Sequence, residues 1–266
     1  MEKKEKVLVL KIGGETLNDP KSLNRVMERI SKYKSQNVVL VHGGGILVNQ
    51  YAERLGIDQQ MIEGRRVTSK ETLELCTMVY AGILNKQLVA KLGASGLKAL
   101  GLSGADLMAV QSKKRSLGLV HYGEVGDVQN VNVKVFSLLL SLGVLPVVCS
   151  VTIGEEFELL NTNADSLASE IAIGLSEDFE VSLVYCFEKN GVLLDLKKED
   201  SVLPILSKPE FLKLKVAHKV AGGMIPKLDT GFKALEKGVE KVQILSSTHL
   251  ESAFLDLNVG TQLILE

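Results

Sequence analysis

The sequence predicts an α/β fold built on a parallel sheet, and three stretches predict it. Val38 to Gly45 reads VVLVHGGG and runs straight into helical spacing from Ile46 to Leu55. An uninterrupted apolar run of this kind is the mark of a strand buried on both faces of a parallel sheet. Lys6 to Gly14, KVLVLKIGG, repeats the pattern, with Asp19 and Pro20 supplying the N-cap and first position of the next helix. Val135 to Gly154 carries no charge and reads as a helix ending near Leu142, a glycine cap at Gly143 and a strand from Val144 to Val151. The two glycine turns fall at the same carboxyl-terminal sheet edge, where open α/β folds bind ligands.

Composition narrows the function classes. At 266 residues the chain can bury a large core without disulfide or metal staples. A formal net charge of −1 offers no broad attraction for nucleic acid, so no nucleic-acid partner is expected. Cys76, Cys149 and Cys186 lie far apart without CxxC spacing, which suits buried thiols in a reducing cytoplasm and gives no protein metal site. The stretch from Val135 to Gly154 is as long as a membrane span, but Gly143 and Pro146 interrupt it. No membrane segment or signal peptide is expected, and the localisation expected is cytoplasmic.

After the second glycine turn, Met61 to Thr68 (MIEGRRVT) reads as a short hairpin or loop. Thr68 with Glu71 forms a capping box for a long helix from about Lys70 to Leu92, whose stripe of Leu73, Cys76, Tyr80, Leu84 and Leu88 suits core or a dimer face. Lys98 to Leu102 and Leu107 to Val110 read as short strands, and Gly118 to Asp127 as a hairpin-like segment. Leu159 to Asp165 (LLNTNAD) precedes a helix from Ser166 to Leu175; Asn161 and Asn163, two apart, share a side if the segment is extended. Glu180 to Phe187 is a strand, leading through Glu188 to Gly191 into Val192 to Leu196 and a charged tip at Lys197 to Ser201. Ala221 to Lys227 (AGGMIPK) opens a helix that closes at Gly238, and Lys241 to Leu245 and Thr261 to Leu265 are late strands.

Four features carry chemistry, each with a plainer alternative. The glycines at 43 to 45 can converge backbone N–H groups on an anion, or simply make a tight turn. Lys11 puts an ammonium inside an apolar strand beside such a turn, or snorkels from an edge. Asn161, Asn163 and Asp165 line a site, or cap a helix. Lys227 sits in a helix's first turn, where a cation opposes the dipole and calls for an anion, or is a surface lysine. Two lysines, glycine turns and one carboxylate suit phosphoryl transfer to an anionic acceptor, which needs positioning and charge neutralisation more than covalent chemistry. No GxxxxGK(S/T) or GxGxxG is present. His42 with its glycines is similar to an esterase oxyanion turn, but GLSGA and GASGL both lack the last glycine of GxSxG.

The chain resembles the amino-acid kinase family nearly end to end. The residues that carry the resemblance are KIGG at Lys11, VHGGG at Val41, RVT at Arg66, NKQLV at Asn85, GLSG at Gly101, NTNAD at Asn161 and GGMIPK at Gly222. The resemblance implies a three-layer α/β/α open sandwich with a mainly parallel sheet. Residues 1–175 would bind the acyl-amino acid and dimerise, and residues 176–266 would bind ATP. It further implies that Lys11 and Lys227 stabilise the transferring phosphoryl group and that Asp165 holds both lysines. Gly44 and Gly45 would meet the substrate, and Arg66, selected over Arg65 by the Arg-Val-Thr match, would bind its α-carboxylate with Asn161. Gly13, Gly14, Asn163, Glu188, Gly222 and Gly223 would face the nucleotide, and Mg²⁺ would ride on the ATP phosphates without a protein cage. The implied reaction makes an acyl phosphate from an N-acylated glutamate, acetylated or succinylated, in arginine biosynthesis.

Departures from the family pattern refine these expectations. Phe187, Glu188 and Asn190 replace the usual residues of the turn facing the nucleotide, so a bulky ring and a longer acid are expected to reshape the ATP site. Ala105, Asp106 and Leu107 differ after GLSG, near the acyl pocket. About six residues precede the first strand, which by the resemblance predicts a homodimer insensitive to arginine. A non-catalytic ligand-binding homologue and a sibling kinase with another carboxylate acceptor are the alternatives.

Overall fold

A computed structural model describes residues 4–62, 64–116, 120–195, 198, 201–217, 219–220 and 223–266. The chain runs β1 (Lys6–Ile12), α1 (Gly14–Asn18), α2 (Pro20–Lys32), β2 (Asn37–His42), α3 (Gly45–Leu55), β3 (Gln60–Ile62), β4 (Arg65–Val67) and α4 (Lys70–Thr77). A π-helical turn (Met78–Leu84) leads into α5 (Asn85–Ala94), β5 (Ala99–Leu102), a 3₁₀ turn (Asp106–Met108), β6 (Val110–Lys114), β7 (Gly126–Val131), α6 (Val133–Ser141), β8 (Leu145–Cys149) and β9 (Val151–Ile153). Then follow β10 (Leu159–Asn161), α7 (Ala164–Leu175), β11 (Glu180–Phe187), β12 (Ile205–Ser207), α8 (Lys208–Val216), α9 (Ile225–Glu236), β13 (Lys241–Ser246), α10 (Glu251–Phe254) and β14 (Thr261–Ile264).

Eight strands form the central sheet in the order β12-β14-β13-β11-β1-β2-β8-β5. Every neighbouring pair is parallel except β13 and β14. Strand alternation sends successive β1 residues to two cores. Val7 and Val9 pack with Phe136, Leu167, Ile171 and Phe232 from α6, α7 and α9. Leu8, Leu10 and Ile12 pack with Val26, Ile30, Leu88 and Leu92 from α2 and α5. Helices therefore cover both faces, which makes the three layers expected of the fold. Residue 175 ends α7, and the sheet runs continuously past it, since β11 pairs with β1 from Lys6↔Glu180 to Ile12↔Cys186. A four-stranded sheet, β10-β9-β6-β7, and the β3–β4 hairpin stand beside the central sheet.

The structure corrects three local expectations. The long helix is not uniformly α, because its middle two turns are π-helical and Ser69, not Thr68, caps it by accepting from the Thr72 N–H. Thr68 is drawn away, donating to the Arg66 carbonyl and accepting from the Asn161 amide. The expected strand at Leu107 to Val110 is a 3₁₀ turn with Leu107 and Met108 at positive φ, and β6 begins only at Val110. Of the hairpin-like segment from Gly118 and the tip at Lys197 to Ser201, residues 118, 119, 197, 199 and 200 lie outside the described residues. Among the described residues no helix is long and apolar enough to cross a membrane.

Candidate active site

Lys11 follows Val7 and Val9 on the β1 face that packs against α7, and Asp165 stands in the first turn of that helix. Their side chains meet with Lys11 Nζ 2.6 Å from Asp165 Oδ1, both 8% exposed. The other carboxylate oxygen, Oδ2, lies 3.1 Å from Lys227 Nζ. Lys227 reaches it from the first turn of α9, which packs against α7. Burial alone would push the Asp165 carboxyl up, but the two ammonium groups outweigh it and hold the carboxylate below its ordinary value of 3.8. Two cations share one anion, so the triad keeps one unit of positive charge.

This triad stands where two lobes of a cleft meet. One lobe is bordered by Lys11, Gly14, Gly44, Gly45, Arg66, Asn161, Asn163 and Asp165. The other is bordered by Lys11, Gly13, Gly14, Phe187, Glu188, Gly223 and Lys227. Lys11 belongs to both. The Gly13 N–H is spent on the Cys186 carbonyl at 2.9 Å and extends the sheet rather than facing a ligand. Gly44 stands at φ 155, and a Cβ there would lie 2.2 Å from Leu84 Cδ1, so only glycine fits between the π-helical turn and the cleft.

In the first lobe Arg66 is buried, and the hydrogen bonds it makes to described residues are to neutral acceptors. Its guanidinium donates to the Gln59 amide oxygen, to the Gly45 carbonyl at 3.1 Å and to Asn49 Oδ1 at 2.8 Å. Among the described residues no carboxylate pairs with it. A guanidinium held in this way is suited to receive a carboxylate. Asn161 ends β10, and its amide donates to Thr68 Oγ1 at 3.0 Å. Asn163 borders the same lobe but works as the N-cap of α7, its Oδ1 accepting from the Asp165 and Ser166 N–H groups. The two residues border one side of the cleft, as their spacing suggests, but their amides bond differently, Asn161 to Thr68 and Asn163 to the start of α7.

In the second lobe Glu188 is exposed at the rim, and Gly222 lies outside the described residues. Phe187 is buried at 7% exposure in the core cluster beneath the cleft. Its ring packs into the core while the residue still borders this lobe beside Glu188. Asn190 accepts a hydrogen bond from Ser246 at 2.7 Å and ties that turn to the end of β13.

Sequence reasoning missed Arg115, Arg65 and Tyr80 as cleft residues. Arg115 is paired with Asp127 and stacked over Tyr122. It also missed Gln59 and Asn49 as the holders of Arg66, for which a single sequence carries no signal. Among the described residues no three His, Cys, Asp or Glu side chains gather to hold a metal ion.

The pattern of the amino acid kinase family matches residues 6–246. An acetylglutamate kinase of Bacteroides thetaiotaomicron is 44% identical, the match covering 98% of this chain and 99% of that one. One from Phocaeicola vulgatus is 43% identical over 91% of this chain and 93% of its own. A crystal structure of a Streptococcus mutans protein superposes with a TM-score of 0.83 at 27% identity, covering 98% of this chain and 99% of that one. The lysine–aspartate–lysine triad, the glycine turns around it and these full-length likenesses lead to one statement: the chain belongs to the amino acid kinase family.

Proposed function

We propose that this kinase transfers the γ-phosphoryl group of ATP to the side-chain carboxylate of N-acetyl-L-glutamate. The observation that carries the reading is Asp165 bridging Lys11 and Lys227 between the two lobes of the cleft. The names of the relatives support the same acceptor.

An acceptor carboxylate is already ionised at neutral pH, so its oxygen attacks phosphorus without surrendering a proton. No general base is required, and Asp165, capped on both oxygens by ammonium groups, is a positioning group. The new bond joins the acceptor oxygen to the γ-phosphorus, while the bond to the β–γ bridging oxygen breaks and its electron pair leaves with ADP. In the loose transition state charge spreads over the phosphoryl oxygens, where Lys11 and Lys227 neutralise it. Arg66 and Asn161 would take the α-carboxylate, with Gly44 and Gly45 against the substrate. Gly14, Glu188 and Gly223, with Gly222, would border the nucleotide, and Asn163 serves it only by capping α7. The net positive triad fits an anionic nucleotide, and Mg²⁺ would arrive on its phosphates, where it supplies further charge neutralisation. We assign acceptor binding and dimerisation to residues 1–175 and ATP binding to residues 176–266. We further place the chain in the cytoplasm as a homodimer without nucleic-acid partners, serving arginine biosynthesis.

A second acceptor is favoured by one observation: Arg65 borders the same lobe as Arg66. A second cation there suits an acyl group that ends in a carboxylate of its own, as in N-succinyl-L-glutamate. The deciding experiment incubates the protein with ATP and Mg²⁺ and traps acyl phosphate with hydroxylamine, offering N-acetylglutamate, N-succinylglutamate, glutamate and aspartate separately. Hydroxamate from an N-acylglutamate is the expected result and also identifies the acyl group. Turnover confined to an unacylated acid would overturn the substrate assignment, and ligand binding without any turnover would restore the non-catalytic alternative.

A further inference from the structure

His42 and Asn85 are wholly buried behind the second glycine turn, and the proposed reaction assigns them no task. The Asn85 amide nitrogen lies 2.9 Å from the Val147 carbonyl and 3.1 Å from His42 Nε2. A carbonyl only accepts, so the nitrogen of the amide must be the atom facing Val147, and its second hydrogen points at Nε2. Nε2 is therefore an acceptor, and the proton of the neutral ring sits on Nδ1. That Nδ1–H faces the Gly43 carbonyl at 2.9 Å. Burial pushes the ring down to about 4, so it stays neutral at ordinary pH. Asn85 itself cannot turn over. Lys86 donates to its Oδ1 at 3.2 Å, and that oxygen is packed so closely on Gly101 that a Cβ there would lie 1.8 Å away.

In a trans peptide the carbonyl of one residue and the N–H of the next point in opposite directions. A Gly43–Gly44 peptide flanked by glycines has little steric preference between its two orientations. We propose that the Asn85–His42 pair locks this peptide, holding the Gly43 carbonyl toward the core so that the Gly44 N–H is presented to the reacting oxygens in the cleft. The Gly44 N–H makes no hydrogen bond to any described residue. The π-helical turn completes the lock, since Tyr80 and Leu84 press on Gly44 and the next residue is Asn85. His42 and Asn85 are positioning residues in this account, and the donor they aim is backbone.

The inference rests on the kinase reading, so its test has one arm that needs no turnover. Nitrogen NMR of the wild-type protein should show the His42 ring as the neutral Nδ1–H form; an Nε2–H ring overturns the lock whatever the activity. In the kinetic arm, His42→Leu removes the donor and His42→Asn returns an N–H at the same branch position. His42→Leu should lower kcat about 10²-fold, the loss typical of one mis-aimed oxyanion donor, with acceptor KM nearly unchanged. His42→Asn should recover most of that loss. Equal losses in the two variants, or a loss carried by KM, would overturn the proposal. A wild-type protein inactive on every acceptor would instead remove the kinase reading and leave the ring measurement standing.

Discussion

Lys11 Nζ lies 2.6 Å from Asp165 Oδ1, a contact made between the last turn of a central strand and the first turn of a helix. Replacing Asp165 by Asn keeps the shape and removes the charge that lets two ammonium groups approach one point. Breaking a buried pair in this way should cost about 3 kcal/mol of stability, read by denaturant unfolding. ATP should restore part of the loss, because its phosphates return the missing negative charge. In the same variant kcat should fall by about 10²-fold or more, since neither lysine keeps its position. A variant as stable and active as the parent would remove Asp165 from the account.

The pH dependence follows from the same carboxylate. Asp165 is held below its ordinary value of 3.8, so its stabilisation is fully present above that value and fades as pH falls through the lower folded-state value. The stability difference between the wild type and Asp165→Asn should thus be flat through neutral pH and shrink only in acid below about pH 4. A difference that shrank between pH 6 and 8 would mean that another group carries the charge.

Two glycines give a contrast between crowding and contact. In Gly44→Ala the new methyl meets Leu84 at 2.2 Å with the backbone at φ 155, and Leu84 is itself buried. Thermal unfolding should register a loss of about 1–3 kcal/mol. At Gly223 an added Cβ would have no neighbour within 4 Å among the described residues, so Gly223→Ala should leave stability within about 0.5 kcal/mol. A raised KM for ATP in that variant would nonetheless show that the nucleotide passes there, and an unchanged KM would show that it does not.

Arg66→Lys keeps the charge and loses the planar fork. The ammonium cannot span Gln59, Asn49 and the Gly45 carbonyl while also pairing with a carboxylate. Acceptor KM should rise about 10- to 100-fold with KM for ATP little changed, matching the loss of one charge-assisted pair. If ATP binding suffered equally, Arg66 would belong to the phosphates instead.

How far the sequence alone reaches can be seen residue by residue. The strands at Lys6, Val38 and Glu180 were legible because a strand buried on both faces has no polar positions to blur its limits. Lys11 and Lys227 stood out because each put a charge where burial or a helix dipole disfavours it, whereas Asp165 suits a helix N-terminus and drew its role from the family resemblance; all three meet. The π-helical turn was not legible: Cys76, Tyr80, Leu84 and Leu88 are four apart, a spacing that serves an α-helix as well as a widened one. Threonine and serine are both good helix caps, and a tertiary contact of Thr68 with Asn161 leaves the role to Ser69. Leu107 and Met108 adopt positive φ, a conformation no leucine or methionine announces. That Phe187 both borders the second lobe and packs into the core was not legible, because the end of a strand does not reveal which of its faces the ring takes.

The strand that carries Lys11 lies between β11 and β2, with Lys11 itself opposite Tyr185 on one side and Val41 on the other. It cannot tilt toward either ligand without shearing two ladders of hydrogen bonds at once. The lysine is consequently a fixed datum against which both reactants are set, one in the lobe bordered by Arg66 on β4 and the other in the lobe bordered by Lys227 in the first turn of α9.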